Sequence, residues 1–158
     1  MCGIVGNITT EKIEKNFIDA CNAQSHRGPD NSSSISYNLD QWEMNLGHQR
    51  LSIIDLNSRS NQPMTCKTNK NSLIFNGEIY NYIELKSELI SEGVIFDTDS
   101  DTEVLLNCLN YWGVDKTHRK INGMWAFCWF DMTNRKIILS RDRTGEKPLY
   151  WIRDENGF

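Results

Sequence analysis

Met1-Cys2-Gly3-Ile4-Val5-Gly6-Asn7-Ile8 opens the chain. Ile4, Val5 and Ile8 stand among small residues as in a buried strand, and Gly3 and Gly6 admit close approach of other backbone or of a small molecule. A cysteine directly behind the initiator methionine becomes the terminal residue once Met1 is trimmed. It then carries a thiol and, on the same residue, an α-amine of the kind that titrates near neutrality, so nucleophile and base need no second side chain. The strand would hold that thiol at its end. The other reading of Cys2 is a small buried hydrophobe, and position alone leaves both open.

A chain of 158 residues that is 39% hydrophobic and 24% charged has the composition of one globular domain. A net charge of -4, with basic residues spread along the chain, argues against nucleic acid as a partner. No apolar run approaches the roughly 18 residues that cross a bilayer, and no signal peptide precedes the first strand, so no membrane is expected and the location expected is cytoplasmic. Besides Cys2, Cys21, Cys66, Cys108 and Cys128 are scattered without a C-x-x-C pair, which argues against a zinc site and a disulfide framework. No metal is expected. Cys21 and Cys108 fall on apolar helix faces and Cys128 in an apolar strand, as core thiols do; Cys66, in a polar loop, is uninformative.

Along the chain, hydrophobic spacing predicts a helix over 11–24 with Ile13, Phe17, Ala20 and Cys21 on one face and Thr9 or Thr10 as N-cap. Strands follow at 35–37 and 42–54, a polar loop at 57–72 of the kind that covers a site, and a short strand at 72–76. A second helix is expected at 82–92, with Asn81 and Glu84 as a capping pair and Gly93 as its stop. A third starts at Ser100 or Asp101, presents Val104, Leu105, Cys108, Leu109 and Trp112, and ends at Gly113. Strands at 124–131, 136–141 and 148–152 complete an α+β layered domain.

Several residues suggest chemistry. Asn76-Gly77 pairs a side-chain amide with a following glycine N–H, two donors suited to a developing oxyanion; a plain Asn-Gly turn explains the dipeptide as well. Arg50 lies in an otherwise apolar stretch and suits bidentate binding of a carboxylate, or is a surface arginine of an edge strand. Asp101 sits in the first helical turn, where the capping box Ser100-x-x-Glu103 and the helix dipole account for it without a ligand. His26 and His48 would matter if a Cys-His pair replaced the terminal amine as base; His118 stands apart.

Eight blocks stand in order: CGIVG at 2–6, HRGPD at 26–30, GHQRLSIIDL at 47–56, QPM at 62–64, FNGEIYNY at 75–82, SDTEVLL at 100–106, GMWAF at 123–127 and RDRTGEKPLY at 141–150. With these, essentially the whole chain resembles the glutaminase domain of glutamine-dependent asparagine synthetases, which are class II glutamine amidotransferases. HRGPD, RLSIIDL and FNGEIYNY distinguish it from amidotransferases that make glucosamine phosphate or purine precursors. The resemblance implies a four-layer αββα sandwich of the N-terminal nucleophile hydrolase type. It makes Cys2 the nucleophile, Arg50 the holder of the glutamine α-carboxylate, Asn76 and Gly77 the oxyanion hole, and Glu78 with Asp101 the contacts of the head group. Backbone at Leu51 and Ile53 lines the same pocket. The substrate implied is glutamine, hydrolysed to glutamate and ammonia with no cofactor.

In that family the ammonia travels to a second domain, where ATP with Mg activates aspartate. No Ser-Gly-Gly pyrophosphate loop occurs in this sequence, so ATP chemistry is expected only in that synthetase domain, the expected partner of residues 1–158, which make up an incomplete amidotransferase unit. The resemblance leaves a homodimer open. Arg141-Asp142-Arg143 with Glu146-Lys147 either faces that domain or forms a solvated, ion-paired turn. The Asn-Gly signal at 154–157 implies a hairpin whose second arm would follow Phe158, so the chain is expected to be a fragment that gains solubility and activity when extended. Two alternatives stay open: a related amidotransferase with a sugar or peptide carboxylate as acceptor, and a degenerate binding module without turnover.

Overall fold

The computed structural model describes residues 1–10, 14–154 and 157–158. The opening strand is present as β1 (Gly3–Thr9), followed by α1 (Glu14–Ala23). The Ile13 position and the residues before Glu14 lie outside the described residues, and the expected capping of α1 falls there; Thr9 is the last residue of β1. β2 (Asn31–Leu39) and β3 (Trp42–Arg50) follow, then a short β4 (Met64–Thr65) inside the polar loop and β5 (Ser72–Ile79). α2 (Tyr82–Ser91), α3 (Asp101–Lys120), β6 (Gly123–Asp131) and β7 (Lys136–Arg141) complete the chain order.

Two antiparallel sheets, β1-β3-β2 and β4-β5-β6-β7, pack face to face. The strand period of two decides which side chains meet. On β6, Cys128 and Phe130 face the other sheet and join Ile74 of β5 and Met44 and Leu46 of β3. The alternate set, Trp125, Phe127 and Trp129, turns outward with Leu73, Phe75 and Ile79 onto Leu85 and Leu89 of α2 and Val104, Leu105 and Leu109 of α3. Phe75, Phe127 and Leu105 are among the largest fully buried side chains, each stabilising the fold by about 1.5–3 kcal/mol. α1 covers the outer face of the first sheet, where Phe17 and Cys21 pack over Gly47. The expected αββα sandwich is therefore present. No described helix is long and apolar enough to cross a membrane.

Several boundaries differ from expectation. The strand expected at 42–54 stops at Arg50, because the chain then curls back around the Arg50 guanidinium, with Asp55 at φ +49°. The strand expected at 72–76 runs on to Ile79, so Asn76-Gly77 lies within a strand and is no turn. Asn81 does not cap α2 with its side chain; its amide instead donates to Lys120 O (2.9 Å) and accepts from Asn122 N (2.9 Å), tying α2 to the end of α3. Gly93, at φ +89°, does end α2, with Val94 N donating to Leu89 O. Gly113 breaks α3 as expected, at φ +75°, but a further helical stretch continues to Lys120.

Residues 148–152 form no strand. Tyr150 and Ile152 are 90% and 81% exposed, and the backbone of Phe158 instead pairs with Ile8 on the free edge of β1. Part of the expected hairpin turn, residues 155–156, lies outside the described residues.

A Cβ at Gly47 would come within 2.3 Å of the Cys21 sulfur. Gly47→Ala is expected to cost about 1–3 kcal/mol by overpacking. Adding Cys21→Ala should recover part of that loss, which urea unfolding of the single and double variants measures.

Candidate active site

At one end of the sandwich a cleft opens between the two sheets, lined by Cys2, Arg50, Leu51, Ile53, Asn76, Gly77, Glu78 and Asp101. All eight residues singled out in the sequence thus border one cavity. Cys2 shares the face of Ile4 and Ile8 by strand period, which aims its side chain between the sheets. Asn76 shares the inward face of Ile74 and approaches from the opposite sheet.

Two arginines fix the surroundings of Cys2. Arg27 Nε donates to Cys2 O (3.1 Å), while the Cys2 sulfur lies 3.4 Å from Leu51 N and 3.7 Å from Leu51 O. Gly28 allows this arrangement, since a Cβ there would lie 2.3 Å from Gln49 O at the end of β3. Asp30 accepts from Ser52 N (2.7 Å) and secures the next turn. The HRGPD block is therefore a bracket around residue 2.

Arg50 is buried, and its guanidinium serves the loop that follows it. Nη1 donates to Asn57 O (3.0 Å) and Asn61 Oδ1 (2.7 Å), and Nη2 to Ile54 O (3.3 Å) and Asp55 O. These four bonds use every Nη hydrogen, leaving Nε–H and the positive charge for a ligand. Of the two readings of Arg50, a surface residue of an edge strand is excluded by its 5% exposure.

The geometry of β5 makes a donor pocket. β4 pairs only with Ser72 and Leu73, so the rest of that β5 edge is without a strand. Phe75 N donates instead to Gln62 Oε1 (2.6 Å) and Ile79 N to Asp101 Oδ2 (3.1 Å). Gly77 lies midway, and by the strand period its N–H points to the same open edge. A side chain at Gly77 would meet Met124 O at 2.2 Å, so the residue is also required by packing against β6. Asn76 is 4% exposed, yet its side-chain amide has no hydrogen-bond partner among the described residues. The amide opens onto the cleft, where a ligand can accept from it.

Asp101 opens α3. The capping is done by Ser100, whose hydroxyl accepts from Glu103 N (3.2 Å), while the Glu103 carboxylate accepts from Asp97 N and Thr98 N. Asp101 is thus free to face the cleft. Burial pushes its pKa up to about 6, against the N–H groups of Ile79 and Thr102 and with help from Glu78 nearby.

Neither His26 nor His48 lines the cleft. His48 is buried, with Nε2 3.2 Å from Phe75 O, and burial first, then Arg50, lowers its pKa to about 4. Among the described residues, no group of three His, Cys, Asp or Glu side chains could hold a metal.

The cluster at 141–147 forms no ion pair among the described residues: Arg141, Arg143 and Glu146 are exposed, while Asp142 and Lys147 are buried. Asp142 is buried and accepts from the backbone N–H of Trp125 (3.2 Å), Glu146 (2.8 Å) and Lys147 (3.0 Å). Burial alone would raise its pKa, but these bonds win and hold the carboxyl below its usual range. Arg27 and Gln62 were not singled out from sequence, and Lys147 was named only within the charged cluster at 141–147. Their signal was present in the blocks HRGPD, QPM and RDRTGEKPLY, where no residue type by itself announces a role.

A profile of the glutamine amidotransferase domain matches residues 1–158. A putative glutamine-hydrolyzing asparagine synthetase 2 of Methanocaldococcus jannaschii is 41% identical, over 100% of this chain and 33% of its own length. The glutamine-hydrolyzing asparagine synthetase 1 of Bacillus subtilis is 39% identical, over 96% of this chain and 24% of its own. The chain thus spans a quarter to a third of the length of these relatives. Among solved structures, the glutamine phosphoribosylpyrophosphate amidotransferase from B. subtilis, complexed with ADP and GMP, superposes with a TM-score of 0.75 at 20% identity, covering 90% of this chain and 38% of that one. That likeness concerns the fold alone. With the αββα sandwich, the cleft at residue 2 and the match over its full length, the chain belongs to the glutamine amidotransferase domain family.

Proposed function

We propose that this chain hydrolyses glutamine to glutamate and ammonia, with Cys2 as nucleophile after removal of Met1. The observation that carries this reading is the convergence of the Cys2 sulfur, the unpartnered Asn76 amide and the open-edge Gly77 N–H on one cleft. The Cys2 α-amine accepts the thiol proton as sulfur attacks the side-chain amide carbon. Asn76 and Gly77 donate to the oxyanion, and such a donor is typically worth about 10²- to 10³-fold in rate. Collapse releases ammonia and leaves a γ-glutamyl thioester, which water hydrolyses.

Asp101 and Glu78 receive the substrate α-ammonium, a cation that repays the cost of keeping a carboxylate buried. Arg50 supplies positive charge for the α-carboxylate, through its Nε–H and by shaping the loop; backbone at Leu51 and Ile53 closes the wall. This half-reaction uses no cofactor. Because the relatives named above are glutamine-hydrolyzing asparagine synthetases, we assign the ammonia to asparagine synthesis. We assign ATP and Mg to a synthetase domain, since the chain spans only 24–33% of the length of those relatives.

Steady-state glutaminase kinetics test the assignment. Cys2→Ala should abolish turnover with the melting temperature nearly unchanged. Asn76→Ala should lower kcat by about two to three orders of magnitude, whereas Arg50→Ala should chiefly raise KM for glutamine. The reverse pattern for these two would overturn the roles.

Asp101 adds a pH signature. Its native pKa lies above the unfolded value, so ionising it costs folding energy, and this stability is lost as pH rises from about 4 through about 6. Asp101→Asn should therefore stabilise the ligand-free protein at pH 8 by roughly 1–3 kcal/mol and at pH 4 not at all. The same titration predicts that KM for glutamine in the unaltered protein rises as pH falls below about 6, which initial rates across pH 5–8 measure.

A further inference from the structure

Lys147 is only 6% exposed, lines the cleft with Cys2 and Asn76, and belongs to none of the ion pairs formed among the described residues. Its Nζ donates to a single described atom, the thioether sulfur of Met1, at 3.3 Å. Thioether sulfur is a weak acceptor, a poor return for burying an ammonium. The position is firmly built: Lys147 N donates to Asp142 Oδ2, the same carboxylate oxygen that accepts from Trp125 N of β6. Removing Met1 takes away this partner and leaves the ammonium beside the new N-terminal residue.

We propose that Lys147 adds a cation at the nucleophile end of the cleft, where Arg27 is engaged by the Cys2 carbonyl: with Met1 gone, the Lys147 ammonium faces the Cys2 sulfur and stabilises negative charge on the thiolate and on the attacked amide oxygen. The inference rests on the function proposed above. Arg50 does not duplicate this role, since its four Nη hydrogens are held by the loop. The remaining charged groups on the cleft wall, Glu78 and Asp101, are anionic when ionised and repel such charge.

In the reaction, the thiol proton passes to the Cys2 α-amine, the C–S bond forms and the carbonyl electron pair moves to oxygen. When the C–N bond breaks, the α-ammonium returns its proton to the departing nitrogen as ammonia. Lys147 takes no part in these proton transfers and is a positioning residue for charge. Met1 is then more than a block on the amine: its thioether also engages the ammonium until processing.

Two alkylating agents of similar size, the anionic iodoacetate and the neutral iodoacetamide, probe this independently of turnover. Rates of modification at Cys2 in the processed protein, mapped by peptide mass, give an iodoacetate-to-iodoacetamide ratio. The ratio should fall about 3- to 10-fold in Lys147→Met and stay near the unaltered value in Lys147→Arg. Glutaminase kcat should fall in Lys147→Met by more than KM changes, with Lys147→Arg recovering most of it. An equal ratio in the unaltered and Lys147→Met proteins overturns the proposal. Should Lys147→Met not fold, Lys147→Gln takes its place, and an equal ratio in the unaltered and Lys147→Gln proteins overturns the proposal. A processed protein without glutaminase activity defeats the proposed function, while the alkylation ratio still reads Lys147.

Discussion

The Arg50 guanidinium is buried where β3 ends, and it binds the carbonyls of Ile54, Asp55 and Asn57 and the side chain of Asn61. A buried charge is tolerated only when its hydrogen bonds are made, so the chain after β3 has to coil around it. That coil presents Leu51 to the Cys2 sulfur and brings Ser60 and Gln62 to the cleft wall. Gln62 then satisfies Phe75 N and reaches Thr102 of α3, joining the loop to both walls of the second sheet's end. The cleft depends on this one cation more than on any apolar contact.

The second constraint is an incomplete sheet. Because β4 is two residues long, the β5 edge beyond it must find other acceptors, and buried N–H groups are rarely left unmet. Gln62 and Asp101 meet the N–H groups on either side of Gly77. What remains is a donor pair, the Gly77 N–H and the Asn76 amide, held by a strand whose opposite edge is locked to β6. Rigid donors of this kind need no reorganisation during reaction. Asp101 serves twice, closing the strand edge and placing a buried carboxyl on the cleft wall.

Much of the fold was legible because alternation on β1, β6 and β7 and helical spacing on α3 state which face is buried. The boundaries that went astray each had a long-range cause. The apolar run 51–54 suits a strand locally, but Arg50 bends it. Asn76-Gly77 carries a turn signal, but pairing with Ala126 and Trp125 keeps it extended. Pro148 to Ile152 has strand composition, yet no described strand pairs with it. For the site, the order of the sequence blocks named the residues, while burial excluded the surface reading of Arg50. Lys147 stayed hidden, since a lysine in a charged run looks like surface until Asp142 is seen pulling that run inward.

The account turns on residue 2 being both terminal and nucleophilic. The most direct measurement is an intact-mass and peptide-mapping analysis of protein quenched with acid during glutamine turnover. The expected species lacks Met1 and carries a γ-glutamyl group on Cys2. Full turnover by protein that retains Met1, or an acyl group mapped to any other residue, would contradict it.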